Sequence, residues 1–350
     1  MDSPPALNWR RRLPGGRSAS ATHTERAGAL IIGDQMWVGA SSGAAVYALS
    51  RKDGSVQATY PASESVESMP TVQGEHVYFS DTAGDTFCYT LDGELVWKHD
   101  GRNPILVQPQ LHGSVLYTTD VEDLAIALDS ESGALLWRYE HRKDPTRRSQ
   151  LALYAAPQAV VLGSANVLFG FSDGSVVSLN AETGDTNWTK RIGEGAYPDI
   201  VSTPVAYADD VFVSGYYGPL VAMSQVDQSI RWRVDVGAAA TPELDVERSV
   251  MFHPGSDGVL RSVSALTGDV LWTWDSETGG ALTKPVASEA GLFVGMAEGG
   301  LALIDPDTGE QLWRFVGDFV LQGVTATPAI EGRQLILVTN AGYIYSFVRP

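Results

Sequence analysis

One nine-residue phrase constrains this chain more than any other feature of it. "DSESGALLW" ends at Trp137, "NAETGDTNW" at Trp188, "SALTGDVLW" at Trp272 and "DPDTGEQLW" at Trp313, and a worn copy, "YTLDGELVW", ends at Trp97. In each, the tryptophan follows a glycine by four residues, at Gly93, Gly133, Gly184, Gly268 and Gly309. Two weaker copies extend the series: Trp232 keeps the ring but has Gln228 in place of the glycine, and Gly54 keeps the glycine but has Ala58 in place of the ring. The Asp or Thr of the phrase suits a side-chain-closed turn, and the glycine accepts a positive φ. The phrase therefore reads as a turn feeding a strand whose tryptophan fills space between repeated units.

Spacing sets the architecture. Trp97, Trp137, Trp188, Trp232, Trp272 and Trp313 are separated by 40, 51, 44, 40 and 41 residues, the period of four-stranded propeller blades. Between them, apolar and β-branched residues alternate in short runs bounded by Gly, Asp and Pro, and helical periodicity is hard to find. In residues 201–234 the runs "VSTPVAYA", "DVFVSGYY", "PLVAMSQ" and "SIRWRVD" read as four successive strands. At the C-terminus, "GVTATPAI", "QLILVTN" and "GYIYSFV" supply three strands with no closing tryptophan, while "ALNWRRRL" at the N-terminus is a lone strand around Trp9. Together these two fragments make one blade. The expectation is an all-β, eight-bladed β-propeller in which the N-terminal strand pairs with the C-terminal ones, removing exposed sheet edges. No linker divides it, so residues 1–350 read as one domain, with 1–6 as a flexible tail.

Composition narrows the function. The chain carries 24 Lys plus Arg against 42 Asp plus Glu, a formal charge of −18, which repels nucleic-acid phosphates and anionic headgroups. Nucleic acid is excluded as a partner on this ground, and the basic cluster Arg10, Arg11, Arg12 and Arg17 reads as a solvated face. Cys88 is the single cysteine, so neither an intrachain disulfide nor a cysteine metal cage can form. No apolar run is long enough to span a bilayer, and "MDSPPALNWRRR" lacks the pattern of a signal peptide. The sequence as written is expected neither to cross a membrane nor to export itself.

Catalytic motifs dissolve on inspection. "GASSG" places Ser41 in a nucleophile-elbow pattern, but no helix follows to build the elbow. "DTAG" at Asp81 occupies the same repeat slot and lacks a partner carboxylate. Asp305 and Asp307 could open a calcium loop, but Glu310 is too close to close it, so turn chemistry is expected. The six histidines have no metal-ligand spacing and read mostly as surface or strand residues, and neither a catalytic, cofactor nor metal site is expected. The longest departure from the repeat, between Trp137 and Trp188, holds "RYEHRKDPTRRSQLALYAAP" with five basic residues, Arg138, Arg142, Lys143, Arg147 and Arg148, in an acidic chain. Inserts in repeat proteins gather on one face and carry function.

The pattern A-L-x-x-x-T-G-x-x-x-W resembles the quinoprotein-type propeller repeat over the whole chain, a repeat shared by quinone-dependent dehydrogenases and binding scaffolds. The enzymes commonly carry an adjacent-cysteine disulfide, which this chain cannot make. Eight blades of this length look like the BamB family of outer-membrane assembly lipoproteins. In that family a segment L-x-L-R-G-x-S-x-P in the long insert and a later D-x-D-x-T-P form the surface that binds the POTRA domains of BamA. Here the first reads "LALYAAPQA", matching at Leu151 and Leu153 but with Tyr154 for the arginine; the second reads "DIVSTP", matching at Asp199, Thr203 and Pro204 but with Val201 for the second aspartate. The resemblance implies a non-enzymatic scaffold, without cofactor, a monomer outside its complex; a quinone-dependent dehydrogenase-like quinoprotein and a propeller sensor or binding domain with another partner are the alternative readings. It also implies a place on the periplasmic face of the outer membrane, held by a lipidated cysteine for which Met1 stands here. On the residues alone, Leu151 and Leu153 equally fit a core-facing alternation, and Asp199 a turn cap.

Overall fold

The computed structural model describes residues 5–14, 25–142, 156–238, 240–316 and 323–348. It is all-β: 32 strands form eight four-stranded antiparallel sheets, an eight-bladed β-propeller, and the described residues contain no helix. The chain packs into two compact units, residues 1–108 with 285–350, and residues 109–284. Each unit holds four blades.

The discontinuous unit contains the blades at 29–61, 71–99 and 286–315, and a fourth assembled from both ends of the chain. In that sheet Ala6–Arg12 pairs antiparallel with Tyr343–Val348, followed inward by Gln334–Val338 and Ala329–Glu331. This is the closure expected from the lone Trp9 strand, which begins at Ala6 and so includes the last residue of the expected tail. The continuous unit contains the blades at 110–140, 160–191, 205–234 and 243–275. Residues 201–234 form the expected four strands, at Val205–Tyr207, Asp210–Ser214, Leu220–Ser224 and Ile230–Val234. In every blade the middle strands are the buried ones; the outer strands are together mostly exposed, with a minority of half-buried or buried positions such as Tyr60, Trp137 and Trp274.

The repeated phrase now has a mechanical explanation. Just before the tryptophan, the outer strand carries a β-bulge, as where Trp137 pairs with Ala127 but Leu135 pairs with Leu128. The bulge twists the strand, and the indole is used on the next blade. Trp137 Nε1 donates to the carbonyl of Ala181 at 3.0 Å, Trp232 to Ala265 at 3.1 Å, and Trp9 to Arg51 at 3.1 Å. Each acceptor lies in the turn of the following phrase. The glycine of that turn lies beneath the ring: a Cβ on Gly184, Gly268 or Gly54 would come within 2.8 Å of it. These glycines thus answer two demands, a φ of +75, +78 and +71° respectively and the absence of a side chain where the indole packs.

The degenerate copies test this account. Ala58 cannot reach the next turn, and a Cβ on Gly93 there would meet nothing within 4 Å. Tyr60, two residues further along the same strand and fully buried, donates its hydroxyl to Leu91 O at 2.7 Å instead. Burial, and secondarily the charge of Asp92, push its phenol up to about 12, so it stays a donor. At the other defect, Gln228 adopts φ +57° without being glycine, a conformation that costs a side-chain-bearing residue about 1–2 kcal/mol.

Two outcomes follow for chemical denaturation. Gln228→Gly is expected to stabilise the protein by about 1 kcal/mol, relief of the left-handed strain exceeding the added chain entropy. Tyr60→Phe is expected to cost about 1 kcal/mol through loss of the blade-to-blade hydrogen bond. Unchanged urea midpoints in both variants would refute the docking account at these blades.

Candidate functional site

In an antiparallel meander, the turn between the second and third strands and the connector to the next blade lie at the same end of the sheet. In the continuous unit this end is built around the connector at 192–204. Its main chain is laced to the 215–218 turn: Glu194 N donates to Tyr217 O at 3.1 Å, Tyr217 N to Tyr197 O at 3.0 Å, and Tyr216 N to Asp199 O at 2.8 Å. The turn is laced in the same way to the following connector, with Ala238 N donating to Gly215 O at 3.0 Å. These segments approach so closely that a Cβ on Gly193 would come within 1.7 Å of Pro198 O, and one on Gly237 within 1.9 Å of Tyr216 O. Glycine is required at both, and the resulting platform is dense backbone.

On this platform stands a cluster of interface-type side chains. Tyr217 is 45 % exposed and packs edge-on to Tyr197 with ring centroids 5.4 Å apart, while Tyr216 lies 5.1 Å from it. Arg233 grips both carboxylate oxygens of Glu194, at 2.9 and 3.2 Å, and also bonds Asp235. Between Tyr217, Glu194, Arg233, Gly237 and Asp257 lies an open groove of about 450 Å³. Exposed tyrosine beside pre-ordered arginine is the composition of binding hot spots. The floor is held from below by His253, which is fully buried and whose Nε2–H donates to Gly237 O at 3.1 Å.

Of the residues expected at a partner surface, Leu151, Leu153 and Tyr154 lie outside the described residues. Asp199 and Thr203 are brought together on the 192–204 connector. Asp199 is 0 % exposed, and its carbonyl anchors the turn that carries Tyr217. Thr203 links successive blade entries: its Oγ1 accepts from Gln158 N at 3.1 Å, and its own N–H donates to Thr241 Oγ1 at 3.0 Å. Both residues shape the surface from behind. Tyr217, Arg233 and Glu194 were not singled out by the sequence reading. Their one signal was a departure from the repeat, because "GYYG" at 215–218 fills the slot that neighbouring blades fill with an Asp-Gly turn.

The discarded motifs lie where turn chemistry puts them. Ser41 is in a strand-turn-strand connection, where Glu25 accepts from Ser41 N at 2.7 Å and from Ser42 Oγ at 2.6 Å. Asp81 accepts from four backbone N–H groups, of Ser63, Glu64, Ala83 and Asp85. Asp305 closes its own turn through Asp307 N and Thr308 N. Cys88 is buried, and desolvation pushes its thiol up to about 11. His253 is a strand residue, within the range expected of the histidines, and is wholly enclosed; His141 lies just beyond a strand end with its side chain nearly enclosed, stacked on Phe171 with Nε2 3.1 Å from Asp173, an ion-pair distance without hydrogen-bond alignment. Among the described residues, no cluster of three or more His, Cys, Asp or Glu is arranged to hold a metal.

Four-stranded blades joined by tryptophan-over-glycine docking define a propeller of the quinoprotein-like repeat class. Within that class the chain belongs to the family described as outer membrane protein assembly factor BamB, which it matches over residues 6–103, 43–254 and 256–348. It is 29 % identical over 199 residues to the outer membrane protein assembly factor BamB of Kangiella koreensis, a match covering 55 % of this chain and 50 % of that protein. The chain thus spans about half the length of that relative. The crystal structure of BamB from Moraxella catarrhalis superimposes with a TM-score of 0.83 at 18 % identity, over 98 % of this chain and 99 % of that one. A quinohemoprotein alcohol dehydrogenase from Pseudomonas putida shares the fold at a TM-score of 0.80 and 13 % identity, over 99 % of this chain and 76 % of the enzyme.

The enclosed imidazole of His253 makes the platform acid-sensitive. Burial lowers its pKa to about 4, against the opposing effect of the Gly237 and Val236 carbonyls, whereas an unfolded histidine titrates near ~6.5. Between these values the unfolded chain binds the extra proton, so stability is fully present above the upper one and is lost as pH falls toward the lower. His253→Gln, which keeps a donor for Gly237 O, is expected to flatten the decline of the urea midpoint across that window. An unaltered decline would assign the acid sensitivity to other groups.

Proposed function

We propose that this chain is a non-enzymatic scaffold that assists assembly of β-barrel proteins into the bacterial outer membrane by docking the POTRA domains of BamA, at the periplasmic face of that membrane. Family membership supports the process. The observation that carries the site is the rigid connector platform, in which Asp199 fixes the turn presenting Tyr217 beside the Arg233–Glu194 pair. Leu151, Leu153 and Tyr154 of the neighbouring insert add the apolar part of the contact. Aromatic and apolar burial supplies the affinity, and the ordered charges set orientation and exclude wrong partners. Because the backbone is already packed, little conformational entropy is lost when the partner arrives.

The test is titration of the purified protein with the POTRA region of BamA from its own organism. Leu153→Glu and Tyr217→Ala are each expected to weaken binding by about tenfold or more, ~1.4 kcal/mol, with circular dichroism unchanged. Asp199→Asn keeps the backbone carbonyl that holds the Tyr216–Tyr217 turn and is expected to leave binding nearly unchanged. No binding by the wild-type protein would remove the scaffold assignment, and binding indifferent to Leu153 and Tyr217 would move it to another surface.

A further inference from the structure

The outer strand of every blade is paired on one side only, and such edges invite pairing with another chain unless they are defended. Seven of the eight outer strands carry a lysine, arginine or proline, as Lys98, Arg138 and Arg314 do in three of them. The eighth, Val270–Asp275, reads "VLWTWD" and carries none. Val270 and Leu271 are 44 % and 56 % exposed, and Leu266, in the turn feeding the strand, is 68 % exposed. Thr273 is also exposed, while Trp274 is buried and pairs with Leu260 on the inner side. The strand is therefore anchored to its own sheet by Trp274 and offers to solvent an apolar border without Lys, Arg or Pro, ending in the exposed Asp275.

The segment that carries this strand is acidic, and Arg231 and Arg233, which flank the indole docked on its turn, are already held by Asp210 and by Glu194 with Asp235. No Lys, Arg or His occurs between Ser262 and Thr283, whereas Asp269, Asp275 and Glu277 are all present and exposed. Asp269 and Asp275 bracket the strand at its two ends. The guanidinium that pairs across to it, Arg261 opposite Thr273, is already held by both carboxylate oxygens of Asp257, at 2.9 and 2.6 Å. A second copy of this chain would bring the same acids against themselves, on top of a formal charge of −18 per molecule, so self-pairing is opposed.

We infer that Val270–Asp275 is a strand-addition site for an extended segment of another polypeptide with alternating apolar residues and basic flanks. Main-chain hydrogen bonding along the free edge holds the segment, apolar contact with Leu266, Val270 and Leu271 selects its alternation, and Asp269, Asp275 and Glu277 select its flanking charge.

The probe is a synthetic peptide of alternating Val and Thr with two lysines at each end, followed by fluorescence anisotropy against the full chain. Controls are a peptide of the same composition with its apolar residues clustered, and one with glutamates at its ends. The alternating lysine-flanked peptide is expected to bind, and both controls to bind about tenfold more weakly or worse. Leu271→Lys and Thr273→Lys, which install the missing defence without disturbing the core, are expected to weaken binding by a similar factor. Ile230→Lys, on an outer strand already carrying Arg231 and Arg233, is expected to leave it unchanged. Absence of binding, equal binding by the clustered peptide, or equal binding by Leu271→Lys would overturn the proposal. Concentration-dependent dimerisation of the wild type that Leu271→Lys abolishes would overturn it in favour of a second copy.

Discussion

The contact on which the rest of this structure depends is an indole laid over a glycine. A four-stranded sheet of this size has too little interior to be stable alone, and each blade completes its core only against its neighbour. The tryptophan on the outer strand fastens one blade to the next by three simultaneous means: it buries a large ring, bonds a turn carbonyl, and occupies the volume that a side chain at the turn would take. Its geometry depends on the bulge that precedes it and on the left-handed turn that follows it in the neighbouring blade. The phrase that repeats in the sequence is thus the two halves of one joint, each blade carrying the half that receives and the half that reaches.

Where the joint is incomplete, the fold compensates locally. Tyr60 replaces a missing indole by extending a hydroxyl from two residues further along, and the space above Gly93 is left open. Gln228 keeps the turn and carries the strain. That two such defects are accommodated shows that the remaining blade contacts suffice to hold the register.

The blades were legible in the sequence because they obey two periods, the alternation of strands and the spacing of tryptophans, and each period has one physical cause. Closure by the strand at Trp9 was legible by counting. The candidate site was less so, because connectors have no period. Asp199 is recognisable by motif, but nothing in "DIVSTP" tells that its carboxylate points inward while its carbonyl supports a turn more than a dozen residues away. Tyr217 could have been found only by asking which blade breaks the Asp-Gly turn rule. His253 looked like one scattered histidine because its partner, the Gly237 carbonyl, is a backbone atom that no side-chain pattern announces.

The blade built from both ends of the chain has a further consequence. Its outer strand comes from residues 6–12 and its inner three from residues 329–348, so the order of the blades has no physical first member. Ala6 pairs with Val348 within that sheet, so these two strand ends lie side by side at the position where, in the other blades, a turn joins the third strand to the fourth. As far as packing is concerned, the described blades form a circular text, with no strand marked out mechanically as the one at which it opens.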